Sequence, residues 1–205
     1  MKFIELMPKF TFTATSTLML TGGLLLVGPG TAAADDGDDD APDGCMGVEM
    51  DLDGASGDFA DEAQKAAEAL NEELTQDMAG NMSARTTTCA KEVVEAAQAR
   101  DMGQDAAAIA MSTVIVETHL NNYTGGDRDS VGLFQQRNHY GSQDDRLDVG
   151  WATEAFFDEL DVVHPDGSWK DVAPGTVAQD VQRSAYPDRY HDQMDDAEII
   201  VDHLW

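Results

Sequence analysis

The stretch from Ala106 to Val116 reads Ala-Ala-Ala-Ile-Ala-Met-Ser-Thr-Val-Ile-Val and carries no charge. A helix that is apolar on every side has no face to turn to water, so other helices must surround it. Asp105 to His119 is therefore predicted to be the buried axis of a helical fold. One carboxylate, Glu117, stands near the end of that axis, and a loop of Asn, Gly and Asp follows at once. Burial disfavours the charged form of an acid, so a carboxyl placed there keeps its proton closer to neutrality. That is the property general acid catalysis requires. The plainer alternatives are a solvent-facing helix carboxylate or an ion pair with Arg128.

Around this axis the pattern is helical nearly throughout. Phe59, Ala63, Ala66, Ala67, Leu70, Leu74 and Met78 recur at helical spacing over Asp58 to Met78, and Gly80-Asn81 ends the run. A second helix is predicted over Thr88 to Arg100, with Val93, Val94 and Ala97 inward and Gly103 as its stop. Leu147 to Val162, Val177 to Ala185 and Asp195 to Leu204 read as three more. Asn121 to Ser130 and Asn138 to Arg146 are loops by composition. Val131 to Arg137 fits either a short strand or an irregular turn. The expected fold class is mainly α, with little sheet.

The amino-terminal end has a different character. Lys2 and Lys9 precede an apolar run centred on Leu18 to Val27, and Thr31-Ala32-Ala33-Ala34 follows with an Ala-x-Ala pattern. This reads as a secretory signal over residues 1–34, cut before Asp35; an uncleaved anchor is the alternative. Residues 35–44 are acidic and expected to be disordered, 45–88 form an amino-terminal helical segment, and 89–205 form the main domain. The product would be an extracellular, soluble protein, either free or held at the cell wall, and a monomer.

Forty acidic against 12 basic side chains give a formal charge of −28. Such a chain is repelled by nucleic acid and by anionic membrane surfaces, which removes both as expected partners. The excess of Asp over Lys suits a halophile's exported protein, since molar salt shortens electrostatic reach to about 3 Å. Cys45 and Cys89 are the two cysteines. In an exported chain they are expected to form one disulfide tying the amino-terminal segment to the main domain. The five histidines, at 119, 139, 164, 191 and 203, show no ligand spacing, and no metal is expected. Asp51-Leu52-Asp53-Gly54 with Glu62 has only a faint likeness to a calcium loop.

Glu117-Thr118, followed by Ser130-Val131-Gly132-Leu133-Phe134-Gln135, resembles the lysozyme-like superfamily of peptidoglycan-cleaving enzymes. That superfamily includes soluble lytic transglycosylases and goose-type lysozymes. It pairs a Glu-Ser at the end of a buried helix with a Gly-x-x-Gly-Leu-Met-Gln type segment. Cys89-Ala90, Asp127-Arg128-Asp129-Ser130, Gly132 to Gln136, Ala178-Gln179 and Val181-Gln182-Arg183-Ser184 resemble a secreted actinobacterial and phage group within it. The likeness spans roughly residues 89–190. Thr118 stands for the usual Ser and Phe134 for Met, while Arg137 to Gly141 departs from the Pro- and Trp-containing rim of near relatives.

The resemblance implies a lysozyme-like helical domain that cleaves peptidoglycan glycan strands without a cofactor. Glu117 would protonate the glycosidic oxygen. Ser130, Gly132, Gln135, Gln136, Gln179, Gln182, Ser184 and Tyr186 would line the cleft, and Tyr190 is a further aromatic that could stack on a sugar. Leu133 and Phe134 read as core. A hydrolase would add a second carboxylate, for which Asp127 and Asp129 are the leading candidates and Asp144 and Asp145 lie further on. A lytic transglycosylase would use the same Glu as acid and then base. The rival readings are a non-catalytic lysozyme-like scaffold that binds cell wall or protein, and an acidic ion-buffering protein.

Overall fold

A computed structural model describes Cys45, residues 56–186 and residues 188–205, with side chains over the first helix from Asp61 onward. The expected signal, the acidic stretch 35–44 and the calcium-like Asp51 to Gly54 lie outside the described residues. The described chain is mainly α, with one isolated antiparallel bridge, Val131 to Gln136. None of its helices is long and apolar enough to cross a membrane.

Helix α1 spans Ser56–Glu73 and stops five residues short of the limit its periodicity suggests. The reason lies 120 residues away. The carboxylate of Asp196, fully buried, accepts the backbone N–H groups of Thr75 and Gln76 at 2.9 and 3.0 Å. Gln193 Oε1 accepts that of Asp77 at 3.2 Å. These side chains take over donors that a continuing helix would have used, and the chain turns. Leu74 and Met78 nevertheless remain in the core.

Helix α2, Ala84–Ala99, starts earlier than expected because Ser83 and Thr86 form a reciprocal capping box. Helix α3, Gln104–Thr118, is the predicted axis: every residue from Ala106 to Val116 is buried, and the Ser112 and Thr113 hydroxyls donate to the Ile109 carbonyl. Residues 138–146 are not all loop. Helix α4, Gln143–Leu147, occupies their end, capped by Ser142 and Asp145. Helix α5, Val149–Val163, begins at Asp148, whose carboxylate accepts the Trp151 N–H at 2.8 Å. A 3-10 turn at Pro165–Asp171 leads to α6, Pro174–Gln182. Proline at its first turn places that start three residues earlier than the apolar spacing implied. Helix α7, Asp188–Asp192, and α8, Met194–Leu204, close the chain.

Helix α3 is wrapped by α2, α6, α7 and α8, while α5 packs on α2 and α6. The amino-terminal α1 packs on α2 and α8 and shares their core through Leu70. Phe134 stacks on Phe156 at 5.1 Å, and Phe156 meets Phe157 edge-on at 5.7 Å. Leu133 and Phe134 are thus core residues, as their apolar character implied.

The Cys45–Cys89 disulfide is present, with both cysteines buried and 44 residues apart in sequence. Closing a loop of that length removes unfolded-state entropy worth about 3 to 4 kcal/mol. A Cys45→Ala, Cys89→Ala double substitution is expected to lower unfolding free energy by roughly that amount. A denaturant midpoint unchanged from the wild type would contradict this.

A second acid is trapped in the packing. Glu92, on α2, has its Oε1 shielded from solvent without a hydrogen-bond partner among the described residues. Burial first, then the nearby Asp148 and Glu95 carboxylates, push its pKa up from 4.5 to about 8. Between those values the folded chain holds a proton that the unfolded chain releases, so stability falls as pH rises through this window. Because the residue is only partly buried, the expected loss is about 1–2 kcal/mol. Glu92→Gln should flatten the profile between pH 5 and 8 and be the more stable protein at pH 8, as read from urea midpoints (pH limits roughly those set by the shift). An unaltered slope would place Glu92 outside this balance.

Candidate functional site

Glu117 occupies the last turn of α3, the point at which the apolar axis meets the surface. Val114, Ile115 and Leu120 beside it are all fully buried. After Thr118 the backbone turns left-handed twice, at His119 (φ +50°) and Leu120 (φ +60°). Neither is glycine, so both are strained. Two anchors hold the turn. Leu120 is wholly buried, and the Thr118 hydroxyl shares its one proton between the carbonyls of Val114 and Leu133, each at 3.0 Å. The Thr118 hydroxyl thus ties the acid's helix to the Gly132–Gln136 turn.

The Tyr190 hydroxyl donates to Glu117 Oε1 at 2.7 Å. Burial raises the Glu117 pKa; this hydrogen bond and the Arg189 charge pull it back in part, and the balance remains above the ordinary carboxylate value. Tyr190 is itself held far above the usual phenol range, by burial and then by the adjacent carboxylate, so it stays a proton donor. The Ser184 side chain lies beside Tyr190 and offsets part of that rise. Behind it the Gln179 amide donates to the Ser184 carbonyl at 2.9 Å. Arg189 pairs with Asp77 at 3.3 Å, and His119 approaches the same carboxylate at 3.5 Å. The turn after α1 therefore holds the arginine whose charge acts on the acid.

The expected cleft residues divide into two groups. Ser184 lies beside Tyr190, which bonds Glu117, and Gln179 is bonded to the Ser184 carbonyl. Ser130, Gly132 and Gln136 instead lie buried in a turn closed by paired backbone bonds between Val131 and Gln136, at 3.1 and 3.2 Å. This turn, rather than a strand, is what residues 131–137 form. The Gln136 amide donates inward to the Ala152 carbonyl at 2.8 Å. Gly132 sits at φ +80°, where a Cβ would collide with the Arg146 carbonyl oxygen. Gln135, half-buried, donates to the Gly132 carbonyl and lies against Gly126. Gln182 reaches the Phe134 carbonyl at 3.5 Å, and Tyr186 is 70% exposed.

Of the carboxylates considered as a second catalytic group, Asp129 and Asp145 are engaged elsewhere, and Asp127 and Asp144 are exposed. Asp129 accepts the Asn138 N–H and is paired with Arg137, and these partners hold its carboxyl below the usual range. Asp127 is exposed and faces Arg128 at 3.8 Å. Asp145 caps α4 through its bond from the Ser142 N–H, and Asp144 is exposed in the same turn.

Arg146 carries no signal in the sequence, where it follows two aspartates and reads as a surface charge. It is 5% exposed, and its guanidinium donates to four backbone carbonyls. Those of Asp129 and Gln136 lie at 2.6 and 2.8 Å, and those of Gly141 and Ser142 at 3.2 and 3.1 Å. One cation thus ties together both sides of the turn beside the acid. The link from Tyr190 to Glu117 was equally illegible, since 73 residues separate the two. No protein-family model matches this chain, and no curated protein matches it either.

Proposed function

We propose that this chain is an exported, lysozyme-like enzyme that cleaves the glycan strands of peptidoglycan, with Glu117 as its general acid. The observation that carries the reading is the state of Glu117. It is a desolvated carboxyl at the end of an apolar helix, of raised proton affinity, and oriented by Tyr190. An acid so held can deliver its proton to a glycosidic oxygen near neutral pH. A purely binding scaffold gains nothing from burying a carboxyl there.

The engagement of Asp129 and the exposure of Asp127 favour chemistry run by one acid. Glu117 gives its proton to the departing oxygen as the glycosidic bond breaks. The resulting carboxylate then takes the proton of the sugar's own C6 hydroxyl as that oxygen closes onto C1. The product is a 1,6-anhydro ring, and Glu117 ends protonated as it began.

Digestion of purified peptidoglycan, with mass spectrometry of the released fragments at low and high salt, tests this. Anhydro-muropeptides are the expected product. Reducing-end muropeptides would keep the glycan-cleaving reading and replace ring closure by water attack. Sedimentation with the wall and no soluble fragment at either salt would leave only a binding scaffold.

A further inference from the structure

On the outer side of α5, Trp151, Ala155, Asp158, Glu159 and Val162 form one stripe, with His139 and Tyr140 of the preceding loop beside it. They enclose an open groove of about 280 Å³. Its lining includes none of Glu117, Tyr190 or Ser184, so it stands apart from the cleavage site. The aromatic wall is built in place. The Trp151 ring packs on Gly141, where a Cβ would come within 2.7 Å, and the His139 and Tyr140 rings lie 4.6 Å apart.

The charges around the groove are unbalanced. Asp158 Oδ1 accepts from Arg100 at 2.7 Å, and Glu159 Oε1 accepts from Arg183 at 2.8 Å. The second oxygen of each carboxylate has no hydrogen-bond partner among the described residues. Arg100 is shared further with Glu154 at 2.9 Å and Asp161 at 2.7 Å. Arg100 is fully committed, whereas Arg183 bonds only Glu159 among the described residues and is 70% exposed; the four carboxylates still outnumber the two cations. The whole chain, at −28, adds to the same field.

We propose that this groove binds the free ammonium group of a lysine-like peptide side chain. The Trp151 and Tyr140 faces attract a cation through their π-electrons, and the free oxygens of Asp158 and Glu159 accept its N–H groups. A neutral sugar can stack on the same rings but gains nothing from the net negative field, and an anionic group is repelled by it.

The test is titration of the ¹⁵N-labelled protein with Nα-acetyl-lysine amide, following the Trp151 indole N–H signal. Nα-acetyl-glutamine amide and tri-N-acetylglucosamine serve as neutral probes. The lysine derivative is expected to shift the signal saturably and to bind more weakly as salt is raised. Combining Asp158→Asn with Glu159→Gln should weaken it roughly fivefold. Asp158 is exposed and Glu159 partly buried, each paired with an arginine, so a cooperative thermal melt and a native-like amide spectrum establish that the variant is folded. Equal response to the glutamine derivative, or a lysine response indifferent to salt and to both substitutions, would overturn the proposal. A response to the sugar alone would make the groove a glycan site instead.

Discussion

Glu117→Gln is expected to abolish release of soluble wall fragments while making the protein more stable at neutral pH. Removing a general acid typically costs about 10²–10⁴-fold in rate. The stability effect has the opposite sign for the same reason that the acid is useful. Burial raises the Glu117 pKa above its unfolded value of 4.5. Above that value the unfolded chain releases its proton readily, whereas the folded chain must hold the proton or bury the charge, so stability declines as pH rises. Glutamine keeps the shape, still accepts from Tyr190 and carries no charge to bury. The variant should therefore melt higher than the wild type at pH 7, and the gap should close well below pH 4.5, where both states are protonated (the threshold being roughly the unfolded pKa). Digestion assays and thermal melts at both pH values provide the check. A variant less stable than wild type at neutral pH would mean that Glu117 is a structural anchor and not a strained acid.

Arg146→Met is expected to be among the most destabilising single changes in the described chain, at about 4 kcal/mol or more. The guanidinium supplies charge-assisted bonds to four carbonyls from Asp129, Gln136, Gly141 and Ser142. Methionine fills similar space but leaves those oxygens without their donor. Lysine retains the charge yet lacks the planar fork, so Arg146→Lys should recover less than half of the loss. Urea denaturation of the three proteins measures this. Because the turn tied by Arg146 reaches Glu117 through the Thr118–Leu133 bond, both variants should also lose the proposed wall-cleaving activity below their melting temperatures. A Met variant within about 1 kcal/mol of wild type would show that the loops are held by other contacts.

The helices of this chain were legible because their apolar spacing is a local property. The run Ala106 to Val116 can satisfy its side chains only by burial, so α3 had to be the axis, and Glu117 had to lie where that axis ends. Two cysteines sufficed to predict one bridge. Element ends were less legible where distant groups decide them: α1 stops at Glu73 because Asp196 and Gln193, on the far end of the chain, accept the next backbone N–H groups. Composition likewise described residues 138–146 as loop, although the Ser142–Asp145 capping box starts a helix within them.

What the sequence by itself determined is therefore the helical class, the central helix and the position of one acid at its end. The tertiary structure decided what surrounds that acid. It placed the Tyr190 hydroxyl on Glu117 and Asp77 beside Arg189. It buried Arg146 beneath the turn and turned Asp129 toward Arg137. The reason is physical: apolar burial acts residue by residue along a helix and leaves a period in the sequence, whereas a hydrogen bond across tens of residues leaves none. An arginine among aspartates reads as surface, and Tyr190 reads as an aromatic that could stack on a sugar. Only the packing of α3 against α7 gives the tyrosine its partner, and only the folding of residues 129–142 around α4 gives the arginine its carbonyls.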